Sequence, residues 1–152
     1  MNFLDVQEYI PHEAPMIVID RITDMGSDYV ECEVKIREDS FFCNNSQVPS
    51  YLGMEFIAQS IAAFSGKIGK DSGEEKPGIG FLIGIRRYQS KTETFKVGDL
   101  LKIRAEMVFI EESLGNFKAS IFLGDEELVN TSISTFKPVS YTHLTLPTME
   151  LV

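Results

Sequence analysis

Metal-ligand spacing is missing from this sequence. Cys32 and Cys43 are the only cysteines, and His12 and His143 the only histidines. Neither pair has the close spacing of a zinc site, so no metal or other cofactor is implied. The two cysteines suit free thiols in a reducing compartment rather than a disulfide framework. Basic residues are scarce: 14 Lys and Arg stand against 23 Asp and Glu, a formal net charge of −9. That disfavours nucleic acid as a main partner, because a phosphate backbone needs a basic face. Long apolar runs are missing too. The longest, Phe56 to Phe64, is broken by Gln59 and Ser60 and is far too short to span a bilayer, so no membrane partner is expected. The opening residues MNFLDVQEYIP lack the basic start and apolar middle of a signal peptide; the expected location is cytoplasmic. There is no internal repeat or long linker, and 152 residues suit one domain around one core.

What the chain does have is periodicity. Residues 3–10 read as a short amphipathic helix ended by Pro11, and residues 15–24 as a mostly apolar strand with a turn at Gly26–Ser27. From Tyr29 to Arg37, Val30, Cys32, Val34 and Ile36 alternate with Glu31, Glu33, Lys35 and Arg37, as in a strand with one wet face. Four more strands follow at about 79–91, 98–111, 116–123 and 127–137, joined by the turns KVGD, ESLGN and GDEE. Such short connections make antiparallel neighbours. Arg86, Arg87 and Lys91 lie close together, as do Lys67 and Lys70; they read either as solvated surface or as a local dock for an acidic partner.

Between the two groups of strands lies VPSYLGMEFIAQSIAAFSG, residues 48–66. It predicts one helix that is apolar or small on nearly every side, with Ser50 as N-cap and Gly66 at its end. A helix without a polar face is normally buried. Its one early carboxylate, Glu55, must then be neutralised, paired or used. It is either a satisfied structural acid, bonded to backbone or to Gln59, or the working group of a site. An alternating sheet must cover its apolar side, and this helix is the one large element available to do so. The expected fold is α+β, the hotdog fold: a curved antiparallel sheet of about six strands wrapped around one long apolar central helix. The domain spans residues 1–138. An open strand edge predicts a dimer joined into a continuous sheet. Residues 139–152 are Thr-rich and have no partner element; they read as a non-native or disordered tail, and His143 is set aside with them.

Three stretches carry a family resemblance, together running from about Glu8 to Pro138. IPHEAPMIVIDRI (10–22) resembles the Pro-His run and first strand of β-hydroxyacyl-[acyl carrier protein] dehydratases, and VPSYLGMEFIAQSIAAFSG resembles their helix, with Glu followed by Ala-Gln. GFLIGIRRYQSKTETFKVGDLLKIRAEM (80–107) is similar to the next two strands. The spelling PHEAPM with SYLGMEFIAQ resembles a divergent branch associated with aryl-polyene and polyketide-type pathways.

The resemblance implies dehydration of a 3-hydroxyacyl thioester, carried by acidic acyl carrier protein, to a trans-2-enoyl thioester. This chemistry needs a base for the proton beside the carbonyl and an acid for the departing hydroxyl. It also needs donors aimed at the thioester oxygen, for which the Ser50–Met54 backbone at the helix start is placed. Glu55 matches the catalytic acid, and burial would favour its protonated form. The matching loop, SFFCNNSQVPS, carries Asn44 or Asn45 where the family has its histidine, and an Asn side chain cannot take the proton. His12 is left as the second catalytic candidate, acting from the first strand or across a dimer, against the plainer reading of a packing histidine. Asn44, Asn45, Gly53, Phe56, Gln59 and Phe81 form the expected substrate-binding set, with Phe56, Ile57 and Phe81 along an acyl tunnel. Asn44 and Asn45 have a simpler reading as turn residues. Asp20 and Arg21 are expected to pair at a strand end, Tyr51 and Met54 to pack in the core or dimer seam, and Gly53 and Gly84 to allow close backbone approach. Two other readings remain: a non-catalytic hotdog subunit that needs an active partner in a heterodimer, and an acyl thioesterase.

Overall fold

Period-two alternation of apolar and polar residues lays down most of the fold, since alternate side chains of a strand face opposite sides of a sheet. The computed structural model describes residues 6, 9, 17–71, 82–111 and 114–136. The strands in chain order are β1 (Arg21–Met25), β2 (Tyr29–Lys35), β3 (Gln47–Pro49), β4 (Leu82–Ser90), β5 (Thr94–Lys96), β6 (Leu100–Glu111), β7 (Leu114–Leu123) and β8 (Glu126–Phe136). One long helix, α1 (Gly53–Asp71), lies between β3 and β4. Six strands form one sheet in the order β1-β2-β6-β7-β8-β4, every neighbouring pair antiparallel. This is the α+β hotdog fold. His12, Phe81, the stretch 139–152 with His143, and most of the expected helix at 3–10 lie outside the described residues.

The inner face of the sheet follows from register. Ile103 opposes Ile121, Ile121 opposes Val129, and Phe117 and Ile85 both oppose Ile133. Against this face lies α1, which buries Phe56, Ile57, Ile61, Ala63 and Phe64 together with Gln59 and Ser60. The Phe64 ring meets Phe117 edge to face, with centroids 5.8 Å apart and planes at 86°. No helix among the described residues is long and apolar enough to cross a membrane.

Several expectations change at the ends of α1. Ser50 does not cap it. Residues Ser50–Leu52 form a single 3-10 turn before the helix, and the residue at that turn's N-cap is Pro49, which makes no side-chain cap bond. Gly66 does not end it. The helix runs on to Asp71, and a Cβ at Gly66 would overlap the Tyr9 carbonyl oxygen. That glycine serves a backbone crossing rather than a stop signal. A second, two-stranded sheet of β3 and β5 pairs Val48 with Phe95, and the Phe95 ring stacks on Phe56 with centroids 6.1 Å apart. This small sheet closes the core over the first turn of α1. Gly84 has open space where its Cβ would sit, so close approach is not what it provides.

Cys32 is fully buried on β2. Burial, against a hydrogen bond with Ser60 that acts the other way, pushes its thiol from an ordinary 9.0 up to about 12. The raised value means the fold holds the neutral thiol. Its contribution is fully present below pH 9 and is lost as pH rises toward 12, because the unfolded chain releases the proton first. Unfolding followed by tryptophan-free probes such as far-UV circular dichroism is expected to show a falling denaturation midpoint across that window. A Cys32→Ser variant is expected to show less of the fall.

Candidate active site

Glu55 stands in the first turn of α1, where carboxylates are favoured by the helix dipole. It is exposed on the single chain. The expectation that burial governs this carboxylate is thereby corrected: α1 buries its other faces, and Glu55 lies on the narrow strip that the sheet does not cover. The carboxylate is nevertheless held. Gln59, one turn on and fully buried, donates from Nε2 to Glu55 Oε2 at 2.9 Å. The other end of the same amide is fixed as well: Gln59 Oε1 accepts the Val18 backbone N–H at 2.9 Å. One buried amide thus ties the acid to the segment leading into β1. Both interactions fix which end of the amide is oxygen, since a flipped amide would lose each of them.

Replacing Gln59 by leucine would break both bonds and leave the Val18 N–H without this acceptor. The expected cost is about 1–3 kcal/mol of stability, measurable as a lower urea midpoint. If Gln59 orients Glu55 for turnover, kcat falls while KM changes little; equal kcat in the variant would remove it from that role. The Gln59 amide faces the acid and the Val18 backbone.

The helix start is crowded rather than open. A Cβ at Gly53 would run into the Tyr88 hydroxyl and come within 2.8 Å of Ile121 Cδ1. Close approach is therefore what Gly53 supplies. Tyr88, on β4, donates its hydroxyl to the Ser50 carbonyl at 2.7 Å; burial pushes that hydroxyl's pKa upward, so it stays a donor. The Ser50 N–H is taken by the Glu93 carbonyl at 2.9 Å, and the Gly53 N–H turns back to the Ser50 and Tyr51 carbonyls. Two of the Ser50–Met54 donors expected at a thioester oxygen are thus already engaged. Sequence reasoning missed Tyr88, because a bulge between Arg86 and Gln89 breaks the alternation that would have marked it as inward-facing.

Asn44 and Asn45 sit in a tight reversal. Asn44 N–H donates to the Gln47 carbonyl at 2.8 Å and receives the Gln47 N–H on its own carbonyl at 3.1 Å. Between them Asn45 and Ser46 both have positive φ, 56° and 61°, as a type I′ turn requires. The turn reading accounts for both asparagines, which are exposed. Next to this loop lies a cleft of about 220 Å³, floored by Val48, Leu52 and Phe56 and rimmed by Asp20, Lys35 and Arg37. Phe56 lines this cleft; Ile57 is fully buried. At the start of β1, Asp20 pairs with Arg37 at 3.2 Å and Arg21 with Glu33 at 3.4 Å, as expected of a strand end. Tyr51 is 57% exposed rather than in the core. Among the described residues no group of three His, Cys, Asp or Glu side chains is placed to hold a metal ion.

Comparison with known proteins bears on this geometry. Residues 4–145 match the ApeP-like family, described as ApeP dehydratase. The chain is 30% identical over 129 residues to the 3-hydroxyacyl-[acyl-carrier-protein] dehydratase FabZ of Thioalkalivibrio sulfidiphilus, covering 78% of this chain and 85% of that one. It is 26% identical to the same-named enzyme of Acinetobacter baylyi, over 95% of each chain. A solved structure, the dehydratase heterocomplex ApeI:P from Xenorhabdus doucetiae, superposes with a TM-score of 0.84 at 29% identity, covering 91% of this chain and 94% of its own.

Proposed function

The chain belongs to the ApeP-like dehydratases, and from that premise we propose that it is the acid-bearing subunit of a two-chain hotdog dehydratase. Its substrate is a 3-hydroxyacyl thioester on acyl carrier protein, in a fatty-acid or polyketide-type pathway. The observation that carries this reading is the Glu55 carboxylate, exposed on the single chain yet fixed through Gln59 to the Val18 backbone. A positioned acid with no histidine in the adjoining turn is half of an acid–base pair.

In the proposed reaction a base removes the proton from the carbon beside the thioester carbonyl. The electron pair forms the new carbon–carbon double bond, the C3–oxygen bond breaks, and Glu55 gives its proton to the departing hydroxyl, which leaves as water. Asn45 cannot act as the base. We assign the base to a second hotdog chain that covers the exposed strip of α1. The heteromeric assembly named for the similar ApeI:P structure supports this assignment, as does the β4 edge of the sheet, which has no second neighbour among the described residues. His12 is the alternative within the chain.

The deciding experiment offers a 3-hydroxyacyl thioester on a carrier protein to the purified chain, alone and mixed with a histidine-bearing hotdog dehydratase chain from the same source. Enoyl thioester formed only by the mixture supports the two-chain reading. Turnover by the chain alone, lost in a His12→Ala variant, replaces the second chain with His12. Free acid in place of enoyl product points to thioester hydrolysis and overturns the dehydratase reading.

A further inference from the structure

The outer face of the sheet carries a second feature, remote from Glu55 in its chemistry. Register places two cross-strand rows there. Lys118 on β7 opposes Ser132 on β8, which opposes Arg86 on β4; one step on, Ser120 opposes Asn130, which opposes Gln89. Residues opposite one another share a face, and these rows alternate with the buried Ala119, Ile121 and Ile133. Between the rows β4 bulges, and Arg87 occupies the bulge with φ at +52°, a left-handed conformation that residues with a Cβ seldom adopt. The Thr131 hydroxyl pins the bulge by donating to the Arg86 carbonyl at 2.7 Å. The result is a groove of about 310 Å³ lined by Arg87, Lys118, Ser132, Asn130, Ser120 and Glu127, among others.

The groove brings two cations, Arg87 and Lys118, together with no acid paired to either. Five cations have acids beside them: Arg21 with Glu33, Arg37 with Asp20, Lys67 with Asp71, and Lys102 and Arg104 with Glu31. Among the described residues Arg86, Arg87 and Lys118, like Lys35, Lys70, Lys91 and Lys96, have no ion-pair partner; Arg87 and Lys118 share this groove, on a chain whose net charge is −9. The single acid in the groove, Glu127, is engaged by the Ser120 hydroxyl. A left-handed residue whose guanidinium has no acid beside it is an outlier from which a functional hypothesis starts.

We propose that this groove is an anion subsite for a single phosphate ester. Arg87 and Lys118 flank the phosphate, and the Ser132 hydroxyl donates between them. The planar guanidinium fork suits a tetrahedral oxyanion. The groove is larger than one phosphate needs, and the neutral row of Ser120 and Asn130 receives the organic part of the ester. Glu127 at that end repels further negative charge, which favours one phosphate over a polyphosphate or a nucleic-acid strand. The phosphate ester has two possible sources: the arm of a carrier protein, or a free phosphorylated metabolite. The inference stands apart from the dehydratase reading, since binding is measured without turnover.

The test is an amide-shift NMR titration of the full chain with inorganic phosphate, with 4′-phosphopantetheine, and with a carrier protein bearing or lacking its arm. Phosphopantetheine is expected to move the signals of Arg87, Lys118 and Ser132. Arg87→Gly removes the guanidinium but suits the left-handed backbone, so its affinity should fall about tenfold or more while its thermal midpoint does not fall. Lys118→Ala should weaken binding as well. Shifts from the arm-bearing carrier and not from the bare one assign the source to the arm; shifts confined to the small probes assign it to a free metabolite. Signals that stay in place at saturating phosphopantetheine, or variants that bind as the wild type does, overturn the proposal.

Discussion

Glu55→Gln is expected to lower enoyl formation about 100- to 10,000-fold, the usual contribution of a positioned general acid. The replacement keeps the shape of the side chain and removes the proton it donates. Because Glu55 is exposed, the fold has little at stake, and the thermal midpoint should move by no more than the roughly 0.5 kcal/mol usual for surface changes. Loss of rate without loss of stability separates a chemical role from a structural one. The assay uses the assembly that turns over, with the wild-type chain as reference. Unchanged turnover in the variant would remove Glu55 from the reaction.

The largest stability effect is expected at Phe64. Its side chain is 1% exposed and fills the contact between the middle of α1 and β7 through Phe117. Phe64→Ala removes a ring from a site with no room to relax, at a cost of about 3–5 kcal/mol. A domain of this size has a total stability of only about 5–15 kcal/mol, so the variant should be substantially unfolded at moderate urea. The measurement is the urea midpoint, with the slope of the transition unchanged. Phe42→Ala provides the contrast: that ring is 68% exposed, and its removal should leave the midpoint almost where it was.

The sheet was readable in the sequence wherever one face is wet and the other dry. Val30, Cys32 and Val34 alternate with charged neighbours, and so do Ile103 and Ala105; each of these apolar residues is buried. The helix was readable because Phe56 to Phe64 has no polar side. Other features escaped for physical reasons. β3 and β5 are three residues each, too short to show a period. Gly66 looked like a stop because its reason for being glycine, the Tyr9 backbone, lies far away in sequence. At the site, sequence pointed correctly to Glu55 and Gln59 as neighbours one turn apart, but not to their orientation. Whether a residue of an apolar helix lies under the sheet or on the uncovered strip depends on how wide the sheet is, and no local pattern records that. The Asn44–Gln47 reversal was legible as a turn from its composition; its two left-handed residues were not.

The position of β4 has a consequence for how the chain is made. Among the described residues β4 lies at one end of the sheet and bonds only to β8, which is synthesised after β5, β6 and β7. On the ribosome, α1 and β4 emerge before the strands that cover them. Until β8 arrives, β4 has no ladder to join and α1 no complete sheet to lie against. Pairing across such a separation closes slowly, and the apolar helix waits uncovered in the meantime, a state prone to aggregation. A pause in translation before β8 would thus be more harmful than one after it.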